Sequence, residues 1–96
     1  MLIRIVRMTF REDRTAEFLE IFRHSKDKIR AFDGCHHVEL LQDINRPNVY
    51  STYSLWESEA HLNNYRDSPL FGQVWKATKV LFADKPQAWS NVVVAV

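Results

Sequence analysis

Aromatic side chains are concentrated in the run from Tyr53 to Trp75, and aromatic rings are well suited to hold a flat molecule. Trp56 ends a predicted strand, Tyr65 lies on the helix that follows, and Trp75 lies on the next helix. Rings from three elements can therefore converge on one spot and line a slot for a planar ligand. The alternative is that these rings only fill the interior, because large rings dominate small cores.

Histidine titrates near neutral pH without strong tuning, so the four histidines are the first candidates for a catalytic base. We predict that His37 or His61 has this role. His36 and His37 are neighbours on a predicted strand and point to opposite faces, so they do not bind one metal together from the same side. His61 lies four residues before Tyr65, where the two side chains can hydrogen-bond or line one pocket. A structural, partly exposed histidine is the alternative, and His24 is predicted to face solvent.

Two further side chains could act on a ligand or serve only the fold. Arg7 lies among apolar residues of the first strand, and a buried guanidinium needs an anion or another acceptor. A ligand contact and a salt bridge to Glu39 both satisfy this need, and the sequence leaves both open. Cys35 is interpreted as a small buried hydrophobic residue, since nothing near it predicts a lowered thiol pKa.

Composition limits the classes of function. The 96 residues are predicted to form one domain, residues 1–96, and the net charge of +1 gives no electrostatic reason to expect nucleic acid or membrane partners. A single cysteine excludes an internal disulfide and a CxxC motif. Only two glycines occur and no phosphate-binding or metalloprotease motif is present, so we predict no cofactor and no metal. The chain shows no signal peptide or bilayer-spanning run, which favours the cytoplasm.

Hydrophobic periodicity divides the chain into strands and helices that place these residues. Ser58 and Ser68-Pro69 are predicted to begin helices, and Gly34 is predicted to end the first one. The predicted strands are Leu2–Phe10, Cys35–Gln42, Val49–Trp56 and Val92–Val96, and the predicted helices are Asp13–Phe32, Ser58–Arg66 and Pro69–Ala83.

This order predicts a ferredoxin-like β-α-β-β-α-β fold of the α+β class, an antiparallel sheet with helices on one face. Both faces of the first strand are apolar, which indicates that the second face of the sheet is also covered. We therefore predict a homodimer through the sheet, and assign Val6 and Met8 to the dimer face.

The segment Trp56-Glu57-Ser58-Glu59, with Leu62, Tyr65, Ser68-Pro69 and Phe71 after it, resembles the antibiotic biosynthesis monooxygenase (ABM) family of small dimeric α+β barrels. The resemblance covers nearly the whole chain. It implies two sheets packed face to face as a barrel-like homodimer, and a pocket between the sheet and the two later helices. The predicted lining of this pocket is Arg7, His37, Thr52, Trp56, His61, Tyr65 and Trp75.

Two branches of the family suggest different chemistry for these positions. In the quinone-forming branch an Asn and a Trp on strand three help to hold a phenolic substrate, and here Trp56 matches the Trp while Thr52 replaces the Asn. In the haem-degrading branch the positions of Arg7, Tyr65 and Trp75 carry Asn, Trp and His. Haem degradation is not expected, because an indole in place of that His cannot ligate iron.

The resemblance predicts a cofactor-independent monooxygenase that acts on a small planar molecule such as a quinol or phenol. A polar residue, His37 or His61, would remove a phenolic proton, and the resulting anion would reduce O₂ directly. A non-catalytic ligand-binding or structural dimer and a small-molecule isomerase are the alternatives. The most informative observation would be a cavity of roughly 300 Å³ or more beside Trp56, the lower range for ligand sites.

Overall fold

A computed structural model describes residues 1–96, and its elements follow the predicted order. A single 3₁₀ turn, Glu12–Arg14, precedes the first helix. The strands are β1 (Leu2–Thr9), β2 (Cys35–Gln42), β3 (Val49–Trp56) and β4 (Gln87–Val92), and the helices are α1 (Thr15–Arg30), α2 (Glu59–Arg66) and α3 (Pro69–Lys79). The ferredoxin-like α+β fold is confirmed, with two helices in the second crossover.

The sheet has the strand order β2-β3-β1-β4, and every neighbouring pair is antiparallel. Leu2 lies opposite Trp56 and Met8 lies opposite Tyr50, so the side chains at even positions of β1 and β3 share one face. These four residues are buried in the core beneath the helices. The odd positions form the other face, which no element of the chain covers.

We call this uncovered surface the open face and define it by its larger apolar side chains. Leu41 is 43% exposed and Trp89 is 45% exposed, although strand residues of this size are usually buried. The apolar members of the open face are Ile3, Ile5, Leu41, Tyr53, Leu55 and Trp89. Ile3 lies opposite Leu55, and Ile5 lies opposite both Tyr53 and Trp89, so most of these side chains are direct neighbours.

The assignment of Val6 and Met8 to a dimer face is wrong. Met8 is only 3% exposed and belongs to the core beneath the helices, and Val6 packs against the same cluster. The alternation within β1 was correct, but both of its faces are apolar, and alternation alone does not say which one the helices cover.

Helix starts follow the capping residues, whereas helix ends depend on tertiary contacts. Ser58 accepts the backbone N–H of His61 at 3.2 Å, and Ser68 accepts that of Phe71 at the same distance. The third helix ends at Lys79 rather than at Ala83, because Phe82 forms a β-bridge with Phe10 and the backbone turns toward β1. The first helix likewise ends at Arg30, before the predicted Phe32.

Gly34 has the positive backbone angle expected of a glycine that redirects the chain, with φ 84°. It lies in the turn between α1 and β2 rather than directly after the helix, whose last turn is followed by Ala31. A Cβ at Gly34 would also collide with the His61 ring, so the position excludes side chains for two reasons.

The predicted strand Val92–Val96 is wrong, since the last strand is Gln87–Val92 and the valines after it are exposed. The β-branched run indicates strand propensity, but a strand also needs a partner. Val92 pairs with Leu2, the first residue of β1, so no strand remains for the following residues to pair with.

The core consists of two clusters at opposite ends of the covered face. The Trp56 cluster contains Leu2, Ile29, Cys35, Val38, Trp56, Leu62 and Tyr65. The Phe10 cluster contains Met8, Phe10, Phe18, Tyr50 and Leu81, with the rings of Phe10 and Phe18 stacked 4.1 Å apart. None of the three helices is both long and apolar enough to cross a membrane.

Candidate ligand-binding cavity

A cavity of about 360 Å³ lies between the covered face of the sheet and the helices, beside Trp56. Its walls include members of both core clusters, so it occupies the space where the two clusters meet. Fourteen of the twenty lining residues are hydrophobic, which suits a largely apolar ligand. This volume lies above roughly 300 Å³, the lower limit for ligand sites, so the cavity that the sequence analysis named as the most informative observation is present.

One wall of the cavity is a continuous series of aromatic rings. Trp56 stacks on Tyr65 with ring centroids 5.0 Å apart, and Tyr65 meets Phe71 edge to face at 5.3 Å. Phe71 in turn stacks on Trp75 at 5.7 Å with the two planes only 11° apart. The predicted convergence of aromatics from a strand and two helices is therefore present.

The rings differ in how much of their surface a ligand could reach. Trp56 is 1% exposed, and its indole Nε1 donates a hydrogen bond to the Ser54 hydroxyl at 3.0 Å. Its main role is thus to support the core and fix the wall. Trp75 is only partly buried, so its ring offers the more accessible surface.

Six polar side chains line the cavity, and several already have partners within the chain. Thr78 donates to the carbonyl of Val74 at 2.7 Å, and Ser54 accepts from the Trp56 indole. The Thr52 hydroxyl makes no hydrogen bond to another group of the protein. The six are Arg4, Thr52, Ser54, Tyr65, Arg66 and Thr78, and the lining contains no Asp, Glu or His.

Tyr65 is a hydrogen-bond donor rather than a base. Its burial, together with the nearby Cys35, raises the pKa of the phenol well above the ordinary value of 10.0. The hydroxyl therefore keeps its proton at neutral pH and can donate it to an acceptor on a ligand. Burial also raises the pKa of the Cys35 thiol, which leaves this cysteine a poor nucleophile.

Of the seven side chains predicted to line the pocket, four do so and three do not. Thr52, Trp56, Tyr65 and Trp75 line the cavity. The predicted placement of Arg7, His37 and His61 there is wrong, because Arg7 and His37 lie on the open face and His61 is directed toward the cap of α2.

Arg7 occupies an odd position of β1 and therefore lies on the open face. Its guanidinium pairs with Asp43 at 2.9 Å. Arg7 thus forms a salt bridge, as one of the two alternatives predicted, but its partner is Asp43 rather than Glu39. Asp43 also accepts the backbone N–H groups of Asn45 and Arg46. The hydrogen bond from Asn45, followed by that from Arg7, lowers the pKa of Asp43.

His37 lies on the open face, where its ring nitrogen is 3.5 Å from Glu39 and its ring edge approaches Tyr53. A β-bulge between Cys35 and His37 interrupts the pairing with β3. The neighbouring His36 contacts Glu57 across the sheet edge, and both histidines are exposed.

His61 lies on the first turn of α2, where it supports the helix cap. Its Nδ1 is 2.7 Å from the Ser58 hydroxyl and its Nε2 is 3.8 Å from Asp33. Serine, histidine and aspartate are also the residue types of a nucleophilic triad, but the Ser58 hydroxyl accepts a backbone N–H as the cap. His24 is exposed as predicted, with Glu20 3.4 Å away.

Sequence reasoning missed the two charged residues of the cavity, Arg4 and Arg66. Arg4 stands between Leu2 and Val6 in the apolar series of β1, and a charge that interrupts such a series is a usable signal. Arg66 follows Tyr65 at the end of α2. A basic residue is favoured there by the helix dipole alone, so its presence does not indicate a ligand site. No group of three or more His, Cys, Asp and Glu residues is arranged to hold a metal ion.

The sequence pattern of the antibiotic biosynthesis monooxygenase family matches residues 1–77. The fold and the cavity define a small α+β domain with an internal ligand-sized cavity. The match over residues 1–77 shows that the chain belongs to the antibiotic biosynthesis monooxygenase family. No curated protein matches the chain.

Solved structures show the same fold. A crystal structure of an antibiotic biosynthesis monooxygenase superposes with a TM-score of 0.93 at 17% identity, covering 99% of this chain and 100% of that one. A Bordetella bronchiseptica protein has a TM-score of 0.87 at 24% identity, with coverage of 98% and 97%. A conserved protein from Methanosarcina mazei Go1 has a TM-score of 0.89 at 15% identity, with coverage of 95% and 91%.

Proposed function

We propose that the protein is a cofactor-independent monooxygenase whose substrate is a small planar aromatic or quinol-type molecule bound in the cavity. The observation that carries this proposal is the cavity of about 360 Å³ with a wall of stacked aromatic rings. Membership of the antibiotic biosynthesis monooxygenase family supports the oxygenase chemistry.

In this reaction the substrate itself supplies the electrons. The anion of a phenol or quinol reduces O₂ directly, one oxygen atom enters the ring, and the other leaves as water. The aromatic wall orients the ring and excludes water, and the hydroxyl groups of Thr52 and Tyr65 donate hydrogen bonds to its oxygen atoms. The phenolic proton passes to water at the opening, since the lining contains no carboxylate or imidazole to accept it.

The same absence of acidic and histidine side chains favours a second candidate function, non-catalytic binding of the same planar molecules. A base within the site is the usual means of forming a phenolate at neutral pH. A carrier needs only the shape of the cavity and its hydrogen-bond donors. Catalysis therefore has to be measured separately from binding.

Oxygen consumption with a panel of quinols, corrected for autoxidation, tests the oxygenase proposal. We expect uptake without added flavin or metal, and a reduced rate for Thr52→Val, which removes a hydroxyl while keeping the side-chain shape. Ser51→Ala is the matched control, because Ser51 is the neighbouring hydroxyl on the opposite face of β3. Binding without oxygen uptake across the panel would favour the carrier. Absence of both binding and oxygen uptake would contradict the oxygenase and the carrier alike.

We also propose that a second copy of this chain covers the open face and forms a homodimer. The face presents Ile5 opposite both Tyr53 and Trp89, at the centre of the three neighbouring strands. Asp43 neutralises Arg7 on this face, and the net charge of +1 gives little repulsion between two copies. Burial of these apolar side chains would supply the driving force.

A further inference from the structure

The charged groups that line the cavity are both cationic. Arg4 reaches it from β1, on the sheet side, and Arg66 reaches it from the last turn of α2, on the helix side. The remaining lining residues are apolar or carry only hydroxyl groups. Two elements that are distant in sequence therefore bring two positive charges to one largely apolar space.

Neither guanidinium has a carboxylate partner within the chain. Arg4 donates a hydrogen bond to the Ser90 hydroxyl at 3.0 Å, and Arg66 makes no salt bridge. By contrast, Arg7, Arg14 and Arg23 each pair with an acidic side chain. Arg4 is partly buried and Arg66 is exposed. Both keep their charge at neutral pH, and the partly buried Arg4 still has donors to satisfy.

Arg66 is close enough to Arg4 to disfavour the charge of Arg4. Burial, followed by repulsion from Arg66, lowers the pKa of Arg4, although the group remains protonated at neutral pH. A negative charge placed between the two guanidinium groups would relieve this repulsion and accept their free N–H donors.

We propose that the ligand of the cavity is a planar aromatic carboxylate, whose carboxylate group lies between Arg4 and Arg66 while its ring lies along the Trp56–Trp75 wall. This inference rests on the proposed function only for the binding of a planar ring, and it holds for an oxygenase and for a carrier alike. A carboxylate, with a single negative charge, suits this largely apolar lining better than a phosphate, whose additional charge would cost more to remove from water.

The test compares two probes of nearly equal size and shape, 2-naphthoate and 2-naphthamide, by isothermal titration calorimetry at low salt. The probes differ in charge, while both present the same flat ring to the aromatic wall. We expect the carboxylate to bind on the order of tenfold or more tightly than the amide, as charge-assisted hydrogen bonds are stronger than neutral ones. The preference should decrease as salt is added, because Arg66 is exposed.

Substitutions then assign the preference to the two arginines. In Arg4→Gln/Arg66→Gln the two probes should bind with similar affinity, and in Arg4→Lys most of the preference should remain. Arg46→Gln is the matched control, because Arg46 is exposed in a loop away from the cavity and its side chain has no partner. Circular dichroism and a urea titration establish that each variant is folded.

The outcomes separate this inference from the proposed function. Equal affinity of wild-type protein for both probes, or a preference that survives in the folded double variant, would overturn the inference and leave planar ring binding intact. Failure of both probes to bind would contradict the binding of planar rings as well. The predicted pattern would support the carboxylate whether or not oxygen is consumed.

Discussion

Arg4 and Arg7 are three residues apart in β1 and lie on opposite faces of the same sheet. On the open face Arg7 is neutralised by Asp43 at 2.9 Å. On the covered face Arg4 lines a cavity together with Arg66, and neither has an acidic partner. The difference shows that a charge in an apolar strand can serve the fold on one side and remain available to a ligand on the other.

The two faces differ in their apolar residues in the same way. Trp56 on the covered face is 1% exposed, whereas Trp89 on the open face is 45% exposed. The covered face is completed within one chain, and the open face needs a partner to bury its rings. Substitutions on the two faces should therefore differ in their effects on stability and on association.

The largest effect is expected for Trp56→Ala. The substitution removes a buried ring from the Trp56 cluster and leaves the Ser54 hydroxyl without its donor, so the free energy of unfolding should fall by about 3–5 kcal/mol. Trp89→Ala is the reference on the open face and should cost clearly less in the separated protomer, where Trp89 is 45% exposed. Urea unfolding at a protein concentration low enough to dissociate the dimer measures both, and equal losses would contradict the assignment of the faces.

The next largest effect concerns the dimer. Ile5→Asp places an unpaired charge at the centre of the open face and should weaken association roughly 100-fold or more, while the protomer keeps its fold. Light scattering should then show the 11.4 kDa protomer, against twice that mass for the wild type.

The matched control for this prediction is Ile44→Asp, the same substitution at a loop residue that is 95% exposed. It should leave the dimer unchanged. A wild-type protein that is monomeric at micromolar concentration would contradict the dimer proposal.

An intermediate effect is expected from the ionisation of Tyr65. Its pKa is raised in the folded state, so its contribution to stability is complete below the unfolded-state value of 10.0 and is lost as the pH rises above it. The loss should approach about 1.4 kcal/mol per pH unit above that value. Tyr65→Phe should show a shallower decline in urea unfolding at alkaline pH, and identical slopes would argue against a buried phenol.

The smallest effect is expected on the open face, at the Arg7–Asp43 pair. The pKa of Asp43 is lowered in the folded state, so its contribution is present above 3.8 and is lost as the pH falls through the folded-state value. Asp43→Asn should therefore lower the free energy of unfolding slightly at neutral pH and flatten its decline in acid, so that the two proteins converge once Asp43 is protonated. A steeper acid dependence in this variant would contradict the assigned pair.

Local sequence signals predicted the elements well. The bounds of β2 and β3 were predicted correctly, because alternation and turn residues mark them, and Ser58 and Ser68-Pro69 marked the helix starts. The end of α3 and the position of β4 were missed, since Phe82 pairs with Phe10 directly after β1 and β4 pairs with β1 itself. Such pairing is a tertiary property that the local sequence does not encode.

The cavity could be predicted only in part. Trp56, Tyr65 and Trp75 were identified because aromatics in three consecutive elements tend to converge. His61 was expected beside Tyr65, but a separation of four residues leaves an angular offset on a helix, and here it turns the imidazole toward the cap. Arg4 was missed because the choice between the two apolar faces of β1 depends on the position of the helices.

The central claim is that planar ligands bind on the covered face of the sheet, and the three indole N–H signals of the protein test it directly. Trp56 and Trp75 line the cavity, while Trp89 lies on the open face. In a ¹H–¹⁵N NMR titration with 2-naphthoate, with signals assigned by single Trp→Phe variants, the Trp56 and Trp75 signals should shift and that of Trp89 should not. A shift confined to Trp89, or no shift at any indole, would contradict the account.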